Sequence, residues 1–219
     1  MTARRVTMVV VVVVVVVVLL AAACGGDGGG PSSAPYTAEV DPTSSTLSST
    51  TTTPPPTSEP RPAPHVFPLV PGDACSYTDG HHDYPASDIF CPVGTTFVAV
   101  IDGVVDFVSR EDRWDPAVDD PALRGGRSVA VIGDDGVRYY GSHLSSVADG
   151  IEPGVRVRAG QALGATGDSG NAAGTDPHLH FGLSHPTTPD DWVVRRGEVN
   201  PFPYLEAWRR GEDVTPVVP

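Results

Sequence analysis

The sequence predicts an all-β fold: a small domain of short antiparallel strands, arranged as a sandwich or partly open barrel, with one short carboxy-terminal helix. Three observations predict it. From about Val66 onward, runs rich in β-branched residues recur at short intervals, and glycine-bearing turns separate them. Only residues 203–210 carry helix punctuation, with proline at the start and Gly211 after the end. The folded part is therefore expected at residues 66–210, with 211–219 as a tail, and about 145 residues can bury a real core.

Taken in order, residues 96–101 and 104–109 flank Asp102-Gly103, a two-residue hairpin signal. Residues 128–132 and 137–140 flank Asp134-Asp135-Gly136 as a second hairpin. Residues 154–158 alternate as a strand, and residues 160–164 continue it. A last alternating run covers residues 178–183. Residues 111–127, with Trp114 and several acids, form an insertion that reads either as a groove wall or as an exposed variable loop.

The first 65 residues have another character. Arg4 and Arg5 precede an apolar run, residues 8–23, that contains ten consecutive valines. The run is short for a bilayer-spanning helix and reads as an export signal. It ends in Ala21-Ala22-Ala23-Cys24, which resembles a bacterial lipoprotein signal over residues 1–24, with Cys24 lipidated. Residues 25–65 form a tether: 29 of residues 25–64 are Gly, Pro, Ser or Thr, too little apolar surface to offset the entropy of ordering. The expected setting is the cell envelope, the membrane being reached through the lipid anchor.

A net charge of −13 argues against a nucleic-acid binder, which needs a basic surface to neutralise phosphates. All 14 basic residues are arginine, which points to a GC-rich, actinobacterium-like source. In an exported chain, Cys75 and Cys91 are expected to pair as a disulfide, with thiolate metal ligation as the alternative. Of seven histidines, His65 and His185 stand alone and read as solvated or hydrogen-bonded residues of no special role. His178 and His180 differ, because residues i and i+2 of a strand share one face. Two imidazoles there suit zinc, or zinc with a catalytic partner.

Read in order, His82, Asp88, Gly94-Thr95, Asp102-Gly103, residues 140–144, Gly160-Gln161, Gly164, Gly167, Gly170 and His178-Leu179-His180-Phe181 resemble the lysostaphin-type metallopeptidases, family twenty-three. The resemblance implies a zinc endopeptidase that cuts peptide stems or cross-links of peptidoglycan, acting as a monomer. It implies a β groove related to the barrel-sandwich hybrids. It also implies one Zn2+ held by a first histidine, Asp88 and His180, with His143 and His178 as the catalytic histidines. The first ligand is ambiguous. The family spacing of three residues between histidine and aspartate would fall on Tyr84, so a two-residue insertion is implied, with His82 as ligand and His81 as its alternative. Tyr140 reads as a site residue or as a groove-lining tyrosine. Rival readings are a family member that has stopped cutting and regulates another wall hydrolase, a sugar-phosphotransferase carrier fold, and a wall-binding module with structural histidines.

Overall fold

A computed structural model describes residues 64–81 and 83–219. The expected export signal, Cys24, most of the tether and His82 lie outside these residues. The fold is built from two antiparallel sheets and few helices. The described residues form ten strands: β1 (Leu69–Val70), β2 (Ser87–Phe90), β3 (Thr96–Val98), β4 (Gly103–Ser109), β5 (Ser128–Gly133), β6 (Arg138–Ser142), β7 (Leu144–Val147), β8 (Arg156–Val157), β9 (Ala162–Thr166) and β10 (His178–Ser184). One sheet runs β1-β3-β9-β7 and the other β2-β10-β6-β5-β4-β8.

Strand alternation places Ile89, Leu179, Phe181, Leu183, Val129 and Tyr139 in one buried cluster with Leu69, Phe97, Leu144 and Leu163 of the smaller sheet. The sheets meet closely. At Gly141 an added Cβ would lie 2.6 Å from the Phe97 ring and 2.9 Å from Leu179, so only glycine lets the two layers approach here. Helix α1 (Trp192–Arg195) follows β10, and helix α2 (Phe202–Arg209) buries Leu205, Ala207 and Trp208.

The second expected hairpin is present: β5 and β6 pair with Ile132 opposite Arg138, around Gly136 at φ +80°. The first is not. β3 pairs with β1 and β9, whereas β4 pairs with β5 and β8, so the chain changes sheets between Val98 and Gly103. Residues 98–101 are all buried, and Asp102 ties the crossing with a 2.8 Å bond from the Ala159 amide. Residues 154–164 are likewise not one continuous strand. β8 and β9 belong to different sheets, and Gly160 turns the chain between them at φ +78°. The short helix α1 was not anticipated either; its four residues lie below the length at which periodicity is visible.

Packing extends past the expected edges at 66 and 210. His65 is buried and stacks on Trp208, and Trp208 Nε1 donates to the Val214 carbonyl at 2.9 Å. Cys75 and Cys91 form the expected disulfide, closing a 16-residue separation around the loop that enters β2.

Candidate metal centre and its cleft

β10 lies between β2 and β6, and its register decides which side chains meet. His180 faces Asp88 of β2 on one side and Ser142 of β6 on the other. The pleat turns His178 and His180 to one face, while Leu179 and Phe181 enter the core. That face floors a cleft of about 250 Å³, lined by His81, Tyr84, Asp88, Tyr140, His143, His178 and His180 among others.

One donor atom from each of His81, Asp88 and His180 lies within 4.8 Å of the others. His180 Nδ1 is 2.9 Å from Asp88 Oδ1, and His81 Nε2 is 3.7 Å from Asp88 Oδ2. Ligands about 2.0–2.2 Å from a tetrahedral zinc sit about 3.4 Å apart, which falls within this spread. The donor set also fits a cation chemically. His180 Nε2 is 3.0 Å from the Arg196 carbonyl, which can only accept, so the proton belongs on Nε2. A neutral His180 therefore presents a bare Nδ1 lone pair to a carboxylate oxygen, an arrangement that a shared proton or a cation resolves. Burial opposes the charge on Asp88. When the His180 ring carries a proton on both nitrogens, its hydrogen bond and the charges of His180, His81 and His178 outweigh burial and pull the carboxyl down to about 2. The Asp83 amide donates to His81 Nδ1 at 3.3 Å.

Of the expected site residues, Asp88, His143, His178 and His180 converge in this cleft, and Tyr140 lines it. His81 is the histidine described beside Asp88; His82 lies outside the described residues. His143 sits where β6 ends and β7 begins, at φ +62°, a conformation rare for non-glycine residues and frequent at functional sites. Its Nδ1 donates to the Ser169 carbonyl at 2.8 Å, and His178 Nδ1 donates to the Asp176 carbonyl at 2.8 Å. Each ring thus keeps its proton on Nδ1 and an open lone pair on Nε2. The two rings are 4.9 Å apart. Burial first, then His180 and His178, push His143 down to about 3, so it stays neutral at ordinary pH.

The insertion at residues 111–127 does form a cleft wall, through Pro121, Ala122, Arg124 and Gly125. It is tied to the loop that orients His143. Gly170 donates to Asp112 Oδ2 at 2.9 Å, Asn171 to the Arg124 carbonyl at 2.9 Å, and Arg127 to Ser169 Oγ at 3.0 Å. Sequence reasoning missed Tyr84, Arg195 and Arg196 as cleft residues. Burial, only partly offset by Arg196, pushes the Tyr84 phenol up to about 12, so it remains protonated, with its oxygen 3.4 Å from His180 Nε2. None of the three lies in a motif; only the packing of α1 onto the face of β10 brings the arginines there.

The model of Peptidase family M23 matches residues 82–195. The L-Ala--D-Glu endopeptidase of Bacillus subtilis (strain 168) is 28% identical over 162 residues, 68% of this chain and 45% of that protein. Glycyl-glycine endopeptidase ALE-1 of Staphylococcus capitis is 36% identical over 95 residues, 43% of this chain and 22% of that protein. The chain thus spans less than half the length of these curated relatives. Among solved structures, the lytM protein of Ruminococcus gnavus matches with a TM-score of 0.51 at 26% identity, covering 68% of this chain and 62% of that one. The antimicrobial peptidase lysostaphin of Staphylococcus simulans matches with a TM-score of 0.50 at 26% identity, covering 70% and 58%.

Proposed function

The chain belongs to Peptidase family M23, and from that membership we propose that it is a zinc-dependent endopeptidase cutting peptide stems or cross-links of peptidoglycan. The observation that carries the proposal is the meeting of three donors, His81, Asp88 and His180, with two histidines whose Nε2 atoms are open, in one cleft. Among the described residues, His81, Asp88 and His180 would hold the metal; His82, the first ligand the resemblance implies, lies outside them. When bound, zinc would supply a Lewis acid for the scissile carbonyl and lower the pKa of a coordinated water toward roughly 7.

The chain's own residues divide the remaining tasks. The Arg196 carbonyl holds the proton of His180 on Nε2 and so aims Nδ1 at the metal position. The Ser169 and Asp176 carbonyls do the same for His143 and His178, so that their Nε2 atoms can take a proton from the attacking water. The rings are 4.9 Å apart and together form one site for the transferred proton. A singly protonated pair can return that proton to the leaving amine. The Tyr84 hydroxyl, protonated beside His180, is a further donor for the developing oxyanion.

Cell-envelope placement, with Cys24 lipidated and residues 25–65 as a tether, completes the proposal. The inserted residues before Asp88, the one feature favouring a non-cutting regulator, leave His81, Asp88 and His180 within reach of one ion. Purified full-length protein is expected to contain close to one zinc per chain and to release peptides from isolated peptidoglycan. A chelator should stop this and added zinc restore it. Metal-replete protein that releases nothing from walls of several cross-link types would overturn the assignment.

A further inference from the structure

The cleft departs from the charge of the chain around it. The protein carries a net charge of −13, yet three arginines, Arg124, Arg195 and Arg196, line the cleft together with the metal ligands. Arg124 is already held by Asp119, at 2.9 Å and 2.6 Å. The other two are held differently. Arg196 is half-buried, with its guanidinium 4.0 Å above the Tyr84 ring and 5.1 Å from Trp192, and among the described residues no carboxylate pairs with it. Arg195 is 5% exposed, its guanidinium 3.6 Å over the Phe107 ring, and its buried Nε has no hydrogen-bond partner. One of its terminal nitrogens is bonded to the Pro189 carbonyl.

A guanidinium positioned by aromatic faces keeps its in-plane N–H edges available, and that fork matches a carboxylate bidentately. A guanidinium with no carboxylate partner in the free protein gains one when an acid-bearing substrate arrives. The location adds to this. The main-chain carbonyl of Arg196 accepts from His180 Nε2, and the Tyr84 ring beneath its guanidinium is 5.6 Å from the His180 ring. A carboxylate bound here would lie close to the bond being cut.

We propose that Arg195 and Arg196 form a carboxylate-binding subsite beside the metal centre, selecting peptides with a free acid next to the scissile bond. This rests on the endopeptidase reading above and deepens it. A bridge of glycine alone offers no side-chain carboxylate, so the subsite favours acid-bearing stem peptides as substrates.

The test uses two synthetic stem peptides that differ only in whether the carboxyl beside the scissile amide is free or amidated. Turnover is measured with zinc-loaded full-length protein. Binding is measured by calorimetry on chelated protein, where nothing is cut. Wild type is expected to prefer the free acid about tenfold or more, expressed mainly in KM and in the calorimetric Kd. Arg196→Gln keeps the main-chain carbonyl that orients His180 and is expected to shrink the acid-over-amide ratio to near unity, with Arg196→Lys intermediate. Equal handling of acid and amide by wild type in both assays overturns the subsite, as does an equal loss on both peptides in R196Q. If neither peptide is cut, the endopeptidase reading is what fails, and the calorimetric preference still decides the subsite. The wild-type comparison needs no variant, so it stands even if R196Q does not fold.

Discussion

His65 and His143 are both buried, at 5% and 8% exposure, and the protein drives them toward opposite charge states. Around His65, burial disfavours the cation, but hydrogen bonds to Asp135 and Asp213 and their charges outweigh it and raise the pKa. Its Nδ1 lies 2.7 Å from Asp213 Oδ1 and its Nε2 3.0 Å from Asp135 Oδ2, while the ring stacks on Trp208 at 5.6 Å. Both nitrogens are engaged. His143 has burial without a carboxylate at hydrogen-bond distance, one carbonyl on Nδ1, and an Nε2 left for the cleft. Burial therefore does not separate the two histidines in this protein; an uncommitted lone pair facing the cleft does.

The sharpest way to break that contrast is to remove a proposed ligand. His180→Ala is expected to lose bound zinc and to lower peptide turnover by about a thousandfold or more, whereas His65→Gln should leave turnover per folded molecule nearly intact. Metal analysis and a peptide-release assay on both variants check this; a zinc-replete, active H180A would end the ligand assignment. Next in size, His143→Asn and His178→Asn should each lower kcat by about a hundredfold to ten-thousandfold while retaining zinc. Loss of metal in either variant would make it a structural ligand instead.

The remaining effects concern stability and have opposite signs. His143 has a folded pKa of about 3, below its unfolded value of 6.5. As pH falls below 6.5 the unfolded chain takes a proton that the native state refuses, so stability declines with falling pH, by up to about 1.4 kcal/mol per unit. Urea melts of chelated protein between pH 6 and 4 should show a shallower decline in H143N than in wild type. An identical slope in both would contradict the buried, neutral state. Asp88, drawn down to about 2, begins to lose its contribution only below its ordinary 3.8 and stays out of that window. The smallest effect belongs to His65. Its raised pKa gives stability that is full below 6.5 and is lost as pH rises through the folded value. The stability gap between wild type and H65Q should therefore be widest in acid and close toward alkaline pH.

Much of this contrast was legible before folding, and some was not. His178 and His180 announce a shared face because strand periodicity is two, and register then sets Asp88 opposite His180. His65 was expected to be an ordinary polar residue at the edge of the tether. Its burial depends on Trp208 and Asp213, more than 140 residues later, which no local window contains. The Asp102-Gly103 pair carries hairpin chemistry, yet it serves a crossing between sheets, because the same turn residues suit both. His81 and His82 are adjacent and chemically identical; the family resemblance favours His82, which lies outside the described residues. The loop between them and Asp88 brings His81 to within 3.7 Å.

Sequence alone determined the β class and the ordered set of histidines and aspartate that marks the family, and it made the Cys75–Cys91 pairing the expectation. These follow from local rules: period, turn chemistry, redox context and spacing. Tertiary structure alone decided that Arg195 and Arg196 enter the cleft, that the insertion at residues 111–127 forms its wall, and that His65 is spent on packing while His143 is not. Those outcomes depend on which distant groups satisfy a buried nitrogen. That is a property of the packed sheets and of the loops crossing them, and no stretch of chain carries it by itself.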